Sequence, residues 1–197
     1  MPTNLEIEFK TLLSMPEYDR LMTRFTHVTP VRQTNHYFDT KDLLLREKRL
    51  ALRIRTFDKS AEMTLKVPQE VGNMEHNIDL PLEDAQALLA KKSLLGCSLD
   101  FSEIFDILEA QNVTLADITC IGSLTTTRRE YYNGIGKAAL DANEYLGTSD
   151  FEFELEVEDE AQGQKDFDNF LAKNDIEFRY ARSKVVRFLD TRRHQHK

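Results

Sequence analysis

Acidic and basic residues recur at every second position in several segments of this chain, a spacing that lays them along one face of a strand. In the first, Glu6, Glu8 and Lys10 alternate with Leu5, Ile7 and Phe9. Further on, Arg53 and Arg55 alternate with Leu52 and Ile54, and Thr64 and Lys66 with Met63, Leu65 and Val67. Glu75 shares a face with Asn77 and Asp79, Thr126 with Arg128, and Asp141 with Asn143. The last run is the densest, with Glu152, Glu154, Glu156 and Glu158 opposing Phe151, Phe153, Leu155 and Val157.

A solvated sheet face mixes its signs, because like charges facing one another destabilise a strand pair. Here acids gather in the first and last segments and bases in the middle ones. Hard divalent cations such as Mg²⁺ take oxygen ligands, only a few of them from protein carboxylates. Arginine and lysine bind phosphate oxygens, arginine often through two N–H groups at once. Both sets in one lumen would hold a metal–polyphosphate complex. Such a lumen buries charges at a cost of several kcal/mol each unless they are paired or wet. The same alternation also fits an oily interior with its charges in solvent, and periodicity does not separate the two.

The elements that would carry these residues follow from the pattern. Strands are predicted over 4–10, 35–40, 50–57, 61–67, 74–80, 123–132, 137–145 and 150–159, with Asn133-Gly134 as a hairpin turn. A helix starts at Ser14, with Pro16 in its first turn and Leu21, Met22 and Phe25 as its stripe. Helical spacing returns over 83–115, read as an insertion (83–118) with its own small apolar face, and again over 164–173. Residues 178–190 read as a short strand running into a last helix, and 191–197 as a mobile basic tail. The expected fold is α+β, mainly β: a closed eight-stranded antiparallel barrel with peripheral helices, in a single domain over 1–190.

Composition sets the bounds. The chain has 197 residues, 41% of them hydrophobic and 30% charged, enough to build a core. A net charge of -8 argues against a general nucleic-acid surface. No apolar run approaches the roughly 20 residues of a membrane span. Cys97 and Cys120 lie outside any C-x-x-C and no signal-peptide pattern is present, so a cytoplasmic protein without a disulfide is expected.

These residues together resemble the CYTH, or triphosphate tunnel metalloenzyme, superfamily. Glu6-Ile-Glu-Phe-Lys10 matches its opening E-x-E-x-K, and the likeness continues through "YFDT" (37–40), "LRIR" (52–55), "TLK" (64–66), Glu75, "TRREYY" (127–132), "LDANEYLG" (140–147), "FELEVE" (153–158) and "RSK" (182–184). The resemblance implies a tunnel with its charged faces inward, Mg²⁺ or Mn²⁺ as cofactor, and a small-molecule triphosphate as substrate. Inorganic triphosphate is favoured, with thiamine or nucleoside triphosphates as alternatives. It assigns Glu6, Glu8, Glu154 and Glu156 to the metal, and Lys10, Arg53, Arg55, Lys66, Arg128 and Lys184 to the phosphates. Glu75, Glu154 and Lys66 are then the candidates at the chemical step. Glu152 and Glu158 are read as structural or electrostatic, and Tyr37 and Asp39 carry no assigned role. Several relatives have K-x-R where this chain has Thr126-Thr-Arg128, which bears on how the terminal phosphate is held. An adenylyl cyclase of class IV type and a non-catalytic polyphosphate or nucleotide sensor are the competing readings, and a homodimer is compatible with all three.

Overall fold

The computed structural model describes residues 3–95 and 100–195. Its eight strands close into an antiparallel barrel with the hydrogen-bonded order β1-β5-β4-β3-β2-β6-β7-β8. They are β1 (Thr3–Leu13), β2 (Val31–Asp39), β3 (Ala51–Thr56), β4 (Ala61–Pro68), β5 (Asn73–Leu80), β6 (Thr119–Tyr132), β7 (Lys137–Tyr145) and β8 (Thr148–Val157). Among the described residues six α-helices accompany them: α1 (Met15–Met22), α2 (Leu44–Glu47), α3 (Leu82–Lys91), α4 (Ser102–Ala110), α5 (Glu160–Lys173) and α6 (Lys184–Gln195). The chain falls into two compact units, one built on 34–123 and the other on 6–33 with the chain from 124 onward.

In the first unit, Leu52, Ile54, Met63 and Leu65 on the apolar face of β3 and β4 share one core with Ala85 and Leu88 of α3 and Ile104 and Leu108 of α4. The helical insertion therefore has no separate core: its stripes are the cover of the sheet. Alternation then forces Arg53, Arg55, Thr64 and Lys66 onto the other face, the inside of the barrel wall. The short helix α2 has no periodic signal because one side chain organises it. Asp39 accepts from the backbone N–H groups of Thr40 (2.7 Å), Leu45 (2.9 Å) and Arg46 (3.1 Å), which gives this buried acid a structural role. Cys120 is a half-buried free thiol, and Cys97 lies outside the described residues.

In the second unit, Leu140, Phe153, Leu155 and Val157 pack against Tyr18, Leu21 and Phe25 from the α1 region and Phe167 and Leu171 of α5. Close approach of α5 depends on Gly163, where an added Cβ would meet Val157 Cγ2 at 2.4 Å and Phe9 Cε2 at 3.0 Å. Residues 178–180 make only an isolated bridge, Thr11 with Tyr180, instead of a strand. Helix α6 runs on to Gln195, whose amide donates to Leu146 O at 2.6 Å, so residues 191–195 are helical and not a loose tail. His196 and Lys197 lie outside the described residues. No helix among the described residues is long and apolar enough to cross a membrane.

Ser14 and Glu17 form the reciprocal cap that starts α1, as the Ser-x-x-Glu spacing dictates. Glu17 also receives the Arg179 guanidinium at 2.6 Å and the Glu177 N–H at 3.1 Å, tying α1 to the chain 160 residues later. Burial opposes ionisation of Glu17, but the bonds from Ser14, Glu177 and Arg179 outweigh it and bring its pKa down to about 2. A depressed carboxylate pKa contributes stability above the unfolded value and loses it as pH falls toward the folded one. Glu17→Gln is therefore expected to cost about 2 kcal/mol at pH 7, a gap that narrows as pH drops from about 4.3 toward 2. Urea unfolding of both proteins at pH 7 and pH 3 would show it, and an equal gap at both values would exclude this account.

Candidate functional site

The second unit places a run of acids on the inner face of β1, β7 and β8. Antiparallel register sets Glu8 opposite Glu156, Lys10 opposite Glu154, Asp141 opposite Glu152 and Arg128 opposite Asp141. Glu6 lies one step further along the same face of β1. Glu8 pairs with Lys10, and Glu156 with Lys137. Asp141, Glu152 and Glu154 are buried, and each brings a carboxylate oxygen within 4.8 Å of the others.

Three cations enter this acid cluster. Arg128 forks onto Asp141, Nε to Oδ1 at 2.8 Å and Nη2 to Oδ2 at 2.6 Å, and also bonds Glu154. Lys184, the first residue of α6, sets its Nζ 2.7 Å from Glu154 and 2.9 Å from Asp141, and pairs with Glu152. Arg187, one turn later, approaches Glu152 at 2.8 Å and Asp150 at 2.9 Å. Burial opposes the charge of each member of this network. For Glu154 the ammonium of Lys184, then Arg128 and Lys10, outweigh burial and hold the carboxyl well below its usual range. For Glu152 burial wins and its pKa rises. For Lys10, Glu8 with Glu154 and Glu152 outweighs burial and raises the ammonium pKa. The site is thus a pre-paired set of charges, which is how a buried polar lumen stays affordable without ligand.

The position that carries Thr126 has no charge. Its hydroxyl donates to Asn143 Oδ1 at 2.7 Å, and the Asn143 amide reaches Asp150 at 2.9 Å and Glu152 at 3.3 Å. The hydroxyl therefore extends the acid network by orienting an amide, where a lysine would add a cation.

The first unit carries the bases. Register brings Arg53 beside Tyr37 and Thr64, Arg55 beside Asn35 and Glu62, and Lys66 beside Glu75. Lys66 Nζ stands 2.8 Å from Glu75, with the Arg53 guanidinium 3.9 Å from the same oxygen. Arg55 pairs with Glu62 at 3.1 Å and donates to Asn35 at 2.9 Å. Burial again opposes ionisation, yet Lys66 and Arg53 prevail and bring the Glu75 pKa down to about 2. A carboxylate that weakly basic is a poor proton acceptor at neutral pH.

Of the residues expected from the sequence, Glu154, Arg128 and Lys184 come together directly, with Lys10 alongside. Glu8 and Glu156 meet one register position away. Arg53, Arg55, Lys66 and Glu75 form their own group. Sequence reasoning gave Asp141 and Arg187 no role and read Glu152 as structural or electrostatic; the fold brings all three into this cluster. Asp141 and Glu152 carried a signal, since both lie on the charged face of their strands. Arg187 follows Lys184 by three residues, a same-face spacing once the segment is known to be helical. The donors are all carboxylate oxygens, a set that suits a hard divalent cation.

Comparison with known proteins agrees with this architecture. The CYTH domain family model matches residues 4–189. Over 195 residues the chain is 32% identical to "Putative triphosphatase YjbK" of Bacillus subtilis (strain 168), covering 98% of each chain. A Bacillus halodurans crystal structure, described as a "putative adenylate cyclase", is 31% identical with a TM-score of 0.86, covering 95% of this chain and 99% of that one. A Hippeastrum structure shares the fold at 24% identity, TM-score 0.81 and coverage of 95% and 96%; that protein is described as a "putative adenylyl cyclase" with a dominant triphosphatase activity. With the family model matching nearly its whole length and a relative 32% identical over 98% of the chain, the chain belongs to the CYTH domain family.

Proposed function

We propose that this protein is a divalent-metal-dependent triphosphatase, with inorganic triphosphate as its first substrate and thiamine or nucleoside triphosphates as alternatives. The observation that carries the reading is the sorting of charge: carboxylates on the inner face of β1, β7 and β8, with Asp141, Glu152 and Glu154 buried, and bases on the inner face of β3 and β4. The 32% identity to a protein named as a triphosphatase supports it.

Glu6, Glu8, Glu154 and Glu156 would hold Mg²⁺ or Mn²⁺. Bound there, the metal supplies charge neutralisation and polarisation of phosphate oxygens. Lys10, Arg53, Arg55, Lys66, Arg128 and Lys184 hold the phosphate chain and keep its terminal P–O bond in line with an attacking water, so that triphosphate leaves as diphosphate and phosphate. Catalysis of this kind rests on positioning and charge more than on covalent chemistry. Lys66 and Glu154 act at the transferred phosphoryl group. Glu75, with its pKa of about 2, serves as the counter-ion that aims Lys66.

Phosphate release from inorganic triphosphate, ATP and thiamine triphosphate, each with Mg²⁺, Mn²⁺ or EDTA, tests the proposal. Metal-dependent release that EDTA abolishes is expected. A cyclase reading is favoured by the description of the Bacillus halodurans relative, and cyclic AMP with pyrophosphate from ATP would establish it instead. Binding of triphosphate without turnover would make the protein a sensor. The reading places the protein in the cytoplasm with no nucleic-acid or membrane partner. Light scattering would show whether it works as a homodimer.

A further inference from the structure

Arg187 joins α6 to two acids of β8. Its Nη1 stands 2.8 Å from Glu152 Oε2, its Nε 2.9 Å from Asp150 Oδ2, and its Nη2 donates to Asp150 Oδ1 at 3.3 Å. Asp150 is braced from the other side by the Tyr145 hydroxyl at 2.6 Å and the Asn143 amide at 2.9 Å. Glu152 is fully buried, and its second oxygen, Oε1, pairs with Lys184 and accepts from Asn143. One carboxylate thus bridges two cations of the same helix, three residues apart.

We propose that Arg187 is a positioning residue: by fixing the Glu152 carboxylate it sets where the Lys184 ammonium sits among Asp141, Glu152 and Glu154. The inference rests on the triphosphatase reading, in which Lys184 and Glu154 act on the substrate and its metal. The physical reason is rotational. The terminal torsion of a glutamate is soft, and a carboxylate gripped at one oxygen only can turn about it. Arg187 faces the other oxygen as an ion pair, with its own plane held by the Nη2 bond to Asp150 Oδ1 and the Nη1 bond to the Arg182 carbonyl. A lysine at 187 could offer charge but not that fixed plane. Without Arg187, Lys184 would redistribute over three neighbouring acids, and a displacement of about 1 Å in a group that holds substrate can cost up to about 10²-fold in rate.

The test pairs kinetics with a readout that needs no turnover. Buried, hydrogen-bonded lysine ammonium groups give protected ¹H–¹⁵N NMR signals, and the signal of Lys184 is the one absent from Lys184→Met. Arg187→Met is expected to shift or broaden that signal and to lower kcat on inorganic triphosphate about tenfold, with KM changed less. Arg187→Lys is expected to recover part of both. Gln195→Ala, which frees the far end of α6 from Leu146 O, should leave both as they are. An undisturbed Lys184 signal in Arg187→Met overturns the proposal. A shifted signal with unchanged kcat overturns it too, since Arg187 would then be a clamp for the fold alone. If Arg187→Met does not fold, Asp150→Asn, which loosens the hold on the same guanidinium, must move the signal and kcat in the same direction, and failure to do so overturns the proposal. Absence of triphosphate turnover in the unaltered protein would sink the functional reading, while the Lys184 signal would still decide the clamp.

Discussion

Glu154→Gln is expected to lower metal-dependent triphosphate hydrolysis by about 10³-fold, with no recovery at high Mg²⁺ or Mn²⁺. Glu154 stands opposite Lys10 on the neighbouring strand and touches both Lys184 and Arg128, so it is the acid on which the cations of the site converge. Lys184, Arg128 and Lys10 outweigh its burial and keep it ionised, the form in which a carboxylate can hold a hard cation. Glutamine keeps the shape and removes the charge. It can neither hold the metal in the same way nor balance the three bases around it. The loss should therefore fall on kcat as well as on metal affinity, whereas a residue that only gathers substrate would raise KM alone. Stability should also drop, but by only about 1–3 kcal/mol, because Asp141 and Glu152 remain to neutralise Arg128 and Lys184. Steady-state kinetics across a metal titration and a thermal melt of the same sample would separate the two effects. Turnover above about a tenth of the unaltered protein would remove Glu154 from the metal set.

That Glu154 faces inward was not readable from its strand. Alternation shows that Glu152, Glu154 and Glu156 share a face, but inverting the barrel would leave the pattern unchanged. What decides the matter is helix packing: α1 and α5 cover Phe153 and Leu155, and α3 and α4 cover Leu52 and Leu65. The acids are left with the interior. All eight strands were legible, because a period of two with strong β-formers is a local property. The elements that were not legible depend on single side-chain bonds that no periodicity displays. Helix α2 hangs on the carboxylate of Asp39, and the last turn of α6 on a bond from Gln195 to Leu146. The site divides along the same line. Glu6, Glu8, Lys10 and Arg128 stand in motifs that a single strand displays. Glu152 looked structural or electrostatic because its meaning lies in Lys184 and Arg187, which a helix some thirty residues later brings to it. Glu75 shows the reverse case, a motif acid whose charge state is fixed by its neighbours: Lys66 and Arg53 outweigh its burial and hold it ionised.

Arg128 tests whether stability and activity can be separated within one buried network. Its guanidinium satisfies both oxygens of Asp141, a residue with no exposed side chain, and reaches Glu154 and Glu130 with its remaining N–H groups. Arg128→Met strips Asp141 of that fork and leaves Lys184 as its remaining cation. Breaking a buried ion pair by removing one partner costs about 3–5 kcal/mol, and for a chain of this size that corresponds to a fall of about 10 °C or more in Tm. Arg128→Lys keeps the charge but offers a point where there was a plane. Its stability cost should be smaller, about 1–2 kcal/mol, because a single ammonium can still meet Asp141. Its kcat/KM should nonetheless fall about 10²-fold, because a phosphate chain held by a guanidinium edge loses its alignment when that edge is gone. A melt and a kcat/KM measurement on both variants therefore make a pair of tests. Unchanged Tm in Arg128→Met would mean that the Asp141 fork does not hold the fold. Unchanged kcat/KM in Arg128→Lys would mean that Arg128 serves the acids of the barrel wall and not the substrate.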